Sequence, residues 1–221
     1  MSRDKFTKSS LQVSGFKDRP VRNKFFQGKN SAESLALVFP GLRYSCDKPL
    51  LHYTTELLLA RGLDVLHLWA DYTKPDYQSS SQDDQSQHML EDAQALLEAG
   101  NKAGSYKNLL LAGKSLGTLT MTLLVKENSG LDKETSIWFT PLFYLPPVAQ
   151  AVLNSTGPTF VAGSDTDLTF DPEAVSQIKS KANITTHVIN DADHSLEIPG
   201  DLLGSLHVIN QLMNSLANFI S

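Results

Sequence analysis

The chain has 221 residues, 41% of them hydrophobic and 19% charged, with 19 Lys plus Arg against 24 Asp plus Glu for a net charge of -5. That length and composition fit one globular domain spanning 1–221 and exclude a disordered or coiled-coil chain. Charge without a basic run argues against nucleic acid as a partner, and no apolar stretch is long enough to cross a bilayer.

The start, MetSerArgAspLysPheThrLysSer, is charged with no apolar signal region behind it, so the expected setting is cytoplasmic with no membrane partner. Segment Ser10 to Phe26 has little periodicity and is expected to supply an antiparallel edge strand or two. From there on, short apolar runs alternate with longer stretches of helical spacing. The expected strands are Leu35 to Phe39, Asp64 to Trp69, Asn108 to Ala112, Ser136 to Thr140, Thr159 to Ala162 and Thr185 to Ile189. Between and after them the helical pattern covers Lys48 to Arg61, Asp83 to Ala103, Leu116 to Asn128, Pro172 to Lys181 and Asp201 to Ile220. This alternation predicts an α/β three-layer sandwich with a mostly parallel central sheet.

Gly62 and Gly104 each follow a helical run and lead into a strand, the place where a left-handed glycine ends a helix. Lys74 to Gln87, rich in Ser, Gln and Asp, is expected to be a polar loop that borders a site and moves. The lone cysteine, Cys46, has no partner for an internal disulfide and no neighbours that define a metal site. It is either an ordinary thiol near a helix start or a fortuitously reactive one. No metal and no cofactor is expected.

Gly113-Lys114-Ser115-Leu116-Gly117 directly follows an apolar run and opens a helical stretch. A bare Gly-x-Ser-x-Gly arises by chance in roughly one chain in fifteen of this length, so its placement carries the weight. It falls at the end of the third expected parallel strand, where open sheets bind ligands. A sharp turn from strand to helix there holds a serine hydroxyl outward, with glycines where a Cβ would crowd the turn. The helix that starts there aims amide donors at developing negative charge.

A serine hydroxyl needs a base. His52 and His207 fall in helical patterns, His88 near a helix start, and His67 and His187 in strand patterns. All five suit packed or surface roles. His194 lies just past the last strand, in a polar turn at the same sheet edge as Ser115. A carboxylate must orient the base, and the chain order serine, acid, histidine places it after Thr159 to Ala162. Asp165 and Asp167 both qualify there, whereas Asp193, adjacent to His194, suits a loop-capping role.

Four segments, Phe39-Pro40-Gly41-Leu42, Gly113 to Thr118, Pro158 to Asp167 and Ala192 to Glu197, resemble the α/β-hydrolase superfamily, and within it the small cap-less hydrolases related to dienelactone hydrolases and esterases. The resemblance implies an α/β-hydrolase fold without a cap domain, since only Pro141 to Pro158, with a short helix around Pro147 to Leu153, separates the last strands. It favours Asp167 as the acid, because Asp167-Leu-Thr-Phe-Asp-Pro172 fits the family's acid turn, with Asp165 the alternative. It implies an oxyanion hole from the amides of Leu116 and Leu42, with Arg43 a second-choice donor, although the loop lacks the HisGly or GlyGly common in lipases.

Gly41 would let backbone approach the substrate, and Arg43, Trp69 and Phe143, with Tyr72 and Tyr144, would line an open rim. Lys114 and Arg43 could favour an anionic substrate, or Lys114 could point away into a surface salt bridge. The implied activity is hydrolysis of a small carboxylic ester or thioester through an acyl-enzyme on Ser115. An acyltransferase with the same triad, or an inactive binding protein of the same fold, are the alternatives.

Overall fold

The computed structural model describes residues 6–28 and 30–221; residues 1–5, where the charged start falls, lie outside the described residues. Eight strands form one sheet in the order β1-β2-β4-β3-β5-β6-β7-β8. These are β1 Phe6–Ser9, β2 Asn23–Gly28, β3 Ser34–Phe39, β4 Asp64–Leu68, β5 Asn108–Lys114, β6 Thr135–Phe139, β7 Thr159–Ser164 and β8 Ile184–Ile189. β1 and β2 are antiparallel to their neighbours, and every pairing from β4 to β8 is parallel. Of the antiparallel strands, β2 comes from the end of the expected segment Ser10 to Phe26, whereas β1 lies before Ser10, and its exposed polar residues carry no apolar signal.

The helices are α1 Pro49–Ala60, α2 Pro75–Gln78, α3 Gln82–Ala103, α4 Leu116–Glu127, α5 Pro146–Asn154, α6 Pro172–Lys179 and α7 Leu202–Phe219. Their starts follow local chemistry. Ser81, Asp171 and Asp201 accept hydrogen bonds from Asp84 N, Ala174 N and Gly204 N, and Pro49, Pro146 and Pro172 sit where a helix has no use for an N–H.

Alternate strand residues divide the interior into two layers. Leu35, Leu37, Phe39, Leu111 and Trp138 pack with α3, α4, α5 and α6 on one face. Ala36, Val38, Leu110, Ala112 and Ile137 pack with α1 and α7 on the other. The result is a three-layer sandwich. Between β6 and β7 the chain forms only α5, so no cap domain covers the carboxyl ends of the strands.

Two expectations for local structure are corrected. Lys74 to Gln87 is not a loop throughout: α2 and the first turns of α3 occupy most of it, because Tyr77 is buried against Tyr72 and His88 and pins the segment down. Gly62 has φ +86, the left-handed helix end expected, but Gly104 is extended, with φ -158. Gly104 is required for space instead, since a Cβ there would overlap the ring of Tyr106.

The order of connection locates the site. The chain leaves β3 through α1 to β4 on one side, then crosses back through α3 to β5 on the other side of β3. The loops after β3 and β5 consequently diverge and leave a crevice at the carboxyl edge, the position where open α/β sheets take ligands.

Candidate active site

Ser115 sits between β5 and α4 with φ 53 and ψ -117, a conformation costly for any residue with a Cβ. Its N–H donates to Phe139 O at 3.0 Å, so the sheet ladder holds the turn in place. The flanking glycines are sterically required. A Cβ at Gly117 would overlap the carbonyl of Phe39 and approach Pro40 O to 2.8 Å, and one at Gly113 would meet Met121 Sδ at 2.6 Å and Gly117 O at 2.8 Å. Strand and helix are thus packed backbone to backbone around the serine. Among the described residues, non-glycine positive φ also occurs at Arg43, Thr140, Asp191 and Leu196, in the connections that follow β3, β6 and β8.

His194 and Asp167 meet Ser115 although they come from distant segments. His194 Nε2 lies 2.7 Å from Ser115 Oγ, and His194 Nδ1 lies 2.7 Å from Asp167 Oδ2. An ionised carboxylate only accepts, so Nδ1 carries the proton and Nε2 is free to accept from the hydroxyl. Burial by itself would raise the Asp167 carboxyl; hydrogen bonds from His194 and Thr169 outweigh it and hold the group below the usual carboxylate range. Asp165, the other candidate, is exposed and accepts from Asp191 N at 3.1 Å, away from the imidazole. Asp193 caps its own turn, accepting from Ser195 N and Glu197 N.

Three hydroxyls that sequence reasoning did not single out brace this arrangement. Thr169 donates through N and Oγ1 to Asp167 Oδ1 at 3.0 and 2.8 Å, and its Oγ1 lies 3.3 Å from His194 Nδ1. Ser164 and Thr166 each donate to Ala192 O at 2.6 Å, tying the acid turn to the histidine turn. An aspartate followed two residues later by threonine is an Asx-turn signature, and that spacing was the available signal for Thr169.

No family model and no curated protein matches the sequence. Solved structures do match along almost the whole chain. One is a dienelactone hydrolase-like promiscuous phosphotriesterase from metagenomic libraries, with TM-score 0.70 and 14% identity over 97% of this chain and 99% of that one. A cold-adapted esterase from an Arctic intertidal metagenomic library matches with TM-score 0.70 and 14% identity, over 99% and 96%. An alpha-beta serine hydrolase homologue from Coxiella burnetii matches with TM-score 0.71 and 13% identity, over 100% and 99%.

The chain has the α/β-hydrolase fold.

Within this α/β-hydrolase fold the remaining sequence candidates separate clearly. Gly41 and Tyr44 pair through reciprocal backbone bonds of 2.9 and 3.2 Å, making a two-residue hairpin that carries Leu42 and Arg43. The amides of Leu42 and Leu116 make no backbone hydrogen bond among the described residues. Gly41 is packed against the elbow itself, since a Cβ there would meet Lys114 O at 3.0 Å. A cleft of about 360 Å³ opens beside the hairpin, lined by Gly41, Arg43, Tyr44, Trp69 and Asp71 among others. One face of Trp69 is occupied by Lys24, whose Nζ lies 3.2 Å from the ring centroid and also pairs with Asp47.

Phe143 and Tyr72 do not line an open rim. Phe143 is 4% exposed and stacks on Phe170 at 5.3 Å, while its N–H donates to Thr169 O and so supports the acid turn. Tyr72 is buried against Tyr77. Tyr144 is exposed. Cys46 lines the cleft but is buried, with its thiol facing Leu68 O and Val38 O, and burial pushes that thiol upward, away from the reactive thiolate. The other histidines pack or face solvent. His67 meets Thr55 Oγ1 at 2.8 Å, His88 meets Asp92 and Phe16, His187 stacks on Phe160, and His52 and His207 are exposed.

Lys114 forms no surface salt bridge: it is buried, 2% exposed, with its Nζ 4.8 Å from the centroid of the Tyr44 ring. Among the described residues no group of three or more His, Cys, Asp or Glu is placed to hold a metal ion, and no helix is long and apolar enough to cross a membrane.

Proposed function

We propose that this chain is a serine hydrolase of small carboxylic esters or thioesters, with Ser115 as nucleophile, His194 as general base and acid, and Asp167 as the carboxylate that orients the imidazole. The observation that carries this reading is the unbroken hydrogen-bonded line Ser115 Oγ to His194 Nε2, and His194 Nδ1 to Asp167 Oδ2. Esterases and serine hydrolase homologues among proteins of the same fold support it.

In the proposed reaction His194 takes the hydroxyl proton as Ser115 Oγ attacks the acyl carbon. Negative charge develops on the carbonyl oxygen, where the amides of Leu116 and Leu42 donate. The tetrahedral species collapses with the C–O or C–S bond broken, and His194 returns the proton to the departing alcohol or thiol. Water, deprotonated by the same imidazole, then releases the acid and regenerates Ser115. The walls of the cleft beside the hairpin, which include Gly41, Arg43 and Trp69, contain none of Ser115, Asp167 and His194, so in this reading they take the part of the substrate remote from the reacting bond.

Labelling with a fluorophosphonate and turnover of nitrophenyl esters of increasing chain length test the reading. The parent should label and turn over, and Ser115→Ala should do neither. A parent that neither labels nor turns over would be a binding protein with this fold. Product partition between water and added alcohols separates hydrolysis from acyl transfer.

A further inference from the structure

Ammonium groups are kept at surfaces or paired, because taking one out of water without a partner is expensive. Lys114 is nearly sealed from solvent, and among the described residues it makes no ion pair within 4.0 Å. It also immediately precedes Ser115, at the last position of β5 paired with Phe139. Strand alternation sends its side chain to the face that carries Ala112, the layer covered by α1 and α7.

Two contacts fix where that side chain ends. A Cβ built on Gly41 would meet Lys114 Cδ at 3.1 Å, so the stem runs beneath the hairpin. The Nζ then lies against the ring of Tyr44, the last residue of the same hairpin. Burial pushes the Tyr44 phenol up to about 12, so the cation faces a neutral ring whose hydroxyl oxygen accepts from Leu50 N. The carboxylates that act on this region are Asp167 from the acid turn and Asp193 and Glu197 from the histidine turn. Burial outweighs the Asp167 and Asp193 charges and brings the Lys114 ammonium down to about 8.

We propose that Lys114 is a positioning residue of the reaction: its ammonium sets a positive potential behind the Gly41–Tyr44 hairpin that favours negative charge on the substrate oxygen at the Leu42 and Leu116 amides. It makes no contact with substrate, so it adds little to ground-state binding. A fixed charge in a poorly solvated site acts over several ångströms, where a surface charge would be screened. The proposal rests on the esterase reading above.

The test is Lys114→Met, which keeps a stem of similar length and removes the charge, with Lys114→Arg as the charge-keeping comparison. Nitrophenyl butyrate turnover is followed from pH 6 to 10 beside thermal melts. The expected result for Lys114→Met at pH 7 is a kcat lowered about tenfold with KM changed less than about twofold, and a melting temperature equal to or above the parent's. The parent's kcat should also decline as pH rises through about 8, where the ammonium is lost, and that decline should be absent in Lys114→Met and move to higher pH in Lys114→Arg. A methionine variant with parental kcat and the same alkaline decline overturns the proposal. So does one that melts lower while keeping the shape of the parental profile, which would mark Lys114 as a packing strut. A parent that turns over no ester overturns the esterase reading, and this inference with it.

Discussion

The backbone at Ser115 can be tested apart from any chemistry by comparing Ser115→Gly with Ser115→Ala. Both substitutions remove the hydroxyl and its 2.7 Å hydrogen bond to His194, so that loss cancels in the comparison. What differs is one Cβ at φ 53 and ψ -117. Holding a Cβ in such a region costs about 1–3 kcal/mol, which glycine avoids. Against this, glycine loses about 0.4–1 kcal/mol more through the greater freedom of its unfolded chain. The glycine variant should therefore be the more stable of the two by about 1 kcal/mol, or about 2–4 °C in melting midpoint for a domain of this size. Urea unfolding followed by circular dichroism is the assay, with equal slopes in denaturant as the check that the unfolded states match. A glycine variant no more stable than the alanine variant would refute the claim that the elbow stores strain.

Gly117→Ala should destabilise the fold by about 3 kcal/mol, since the new Cβ overlaps the Phe39 carbonyl and backbone cannot rotate aside as a side chain can; thermal melting measures this. Asp167→Asn should lower kcat on nitrophenyl esters by about 10⁴-fold, because an amide in place of the carboxylate favours the wrong imidazole tautomer, while Asp165→Asn stays within about threefold. An equal or reversed effect on the initial rates of the two variants would move the acid to Asp165. Because the Asp167 carboxyl is held below its ordinary value, its contribution to stability is complete above about pH 4 and is lost as pH falls through the lower folded value. Unfolding midpoints of parent and Asp167→Asn should therefore converge at acid pH.

Most of the sheet was legible because its strands are buried on both faces: β3 and the apolar part of β5 are short apolar runs bounded by polar or turn residues, and those bounds separate them from the same Leu-Leu-Leu-Ala run at the end of the longer α1. The end of β5 was less so. Gly113 and Lys114 look like turn residues in sequence, yet they pair with Trp138 and Phe139 and extend the ladder to the serine. β1 left no trace, since an exposed edge of Phe, Thr, Lys and Ser has neither apolar alternation nor a buried face. Ser115, Asp167 and His194, which the structure brings within hydrogen-bonding distance, could be put forward as candidates because each ends a strand or follows one, and chain order limits the choice. What could not be read was direction. Phe143 looks like a rim aromatic until its ring is seen against Phe170, and a lysine beside the proposed nucleophile suggests a solvent-facing charge until its stem is seen under Gly41. Both depend on packing between segments far apart in sequence, which local pattern does not encode.

The three groups of the hydrogen-bonded line arrive in order from the ends of β5, β7 and β8. While the chain is being synthesised, Ser115 and Asp167 leave the ribosome before the last strand and its following turn, so the nascent protein holds the serine before the imidazole that hydrogen-bonds to it. Regain of fluorophosphonate labelling during refolding would accordingly report when the turn after β8 docks against the end of β5, an event that circular dichroism, which sees mainly helix content, does not follow.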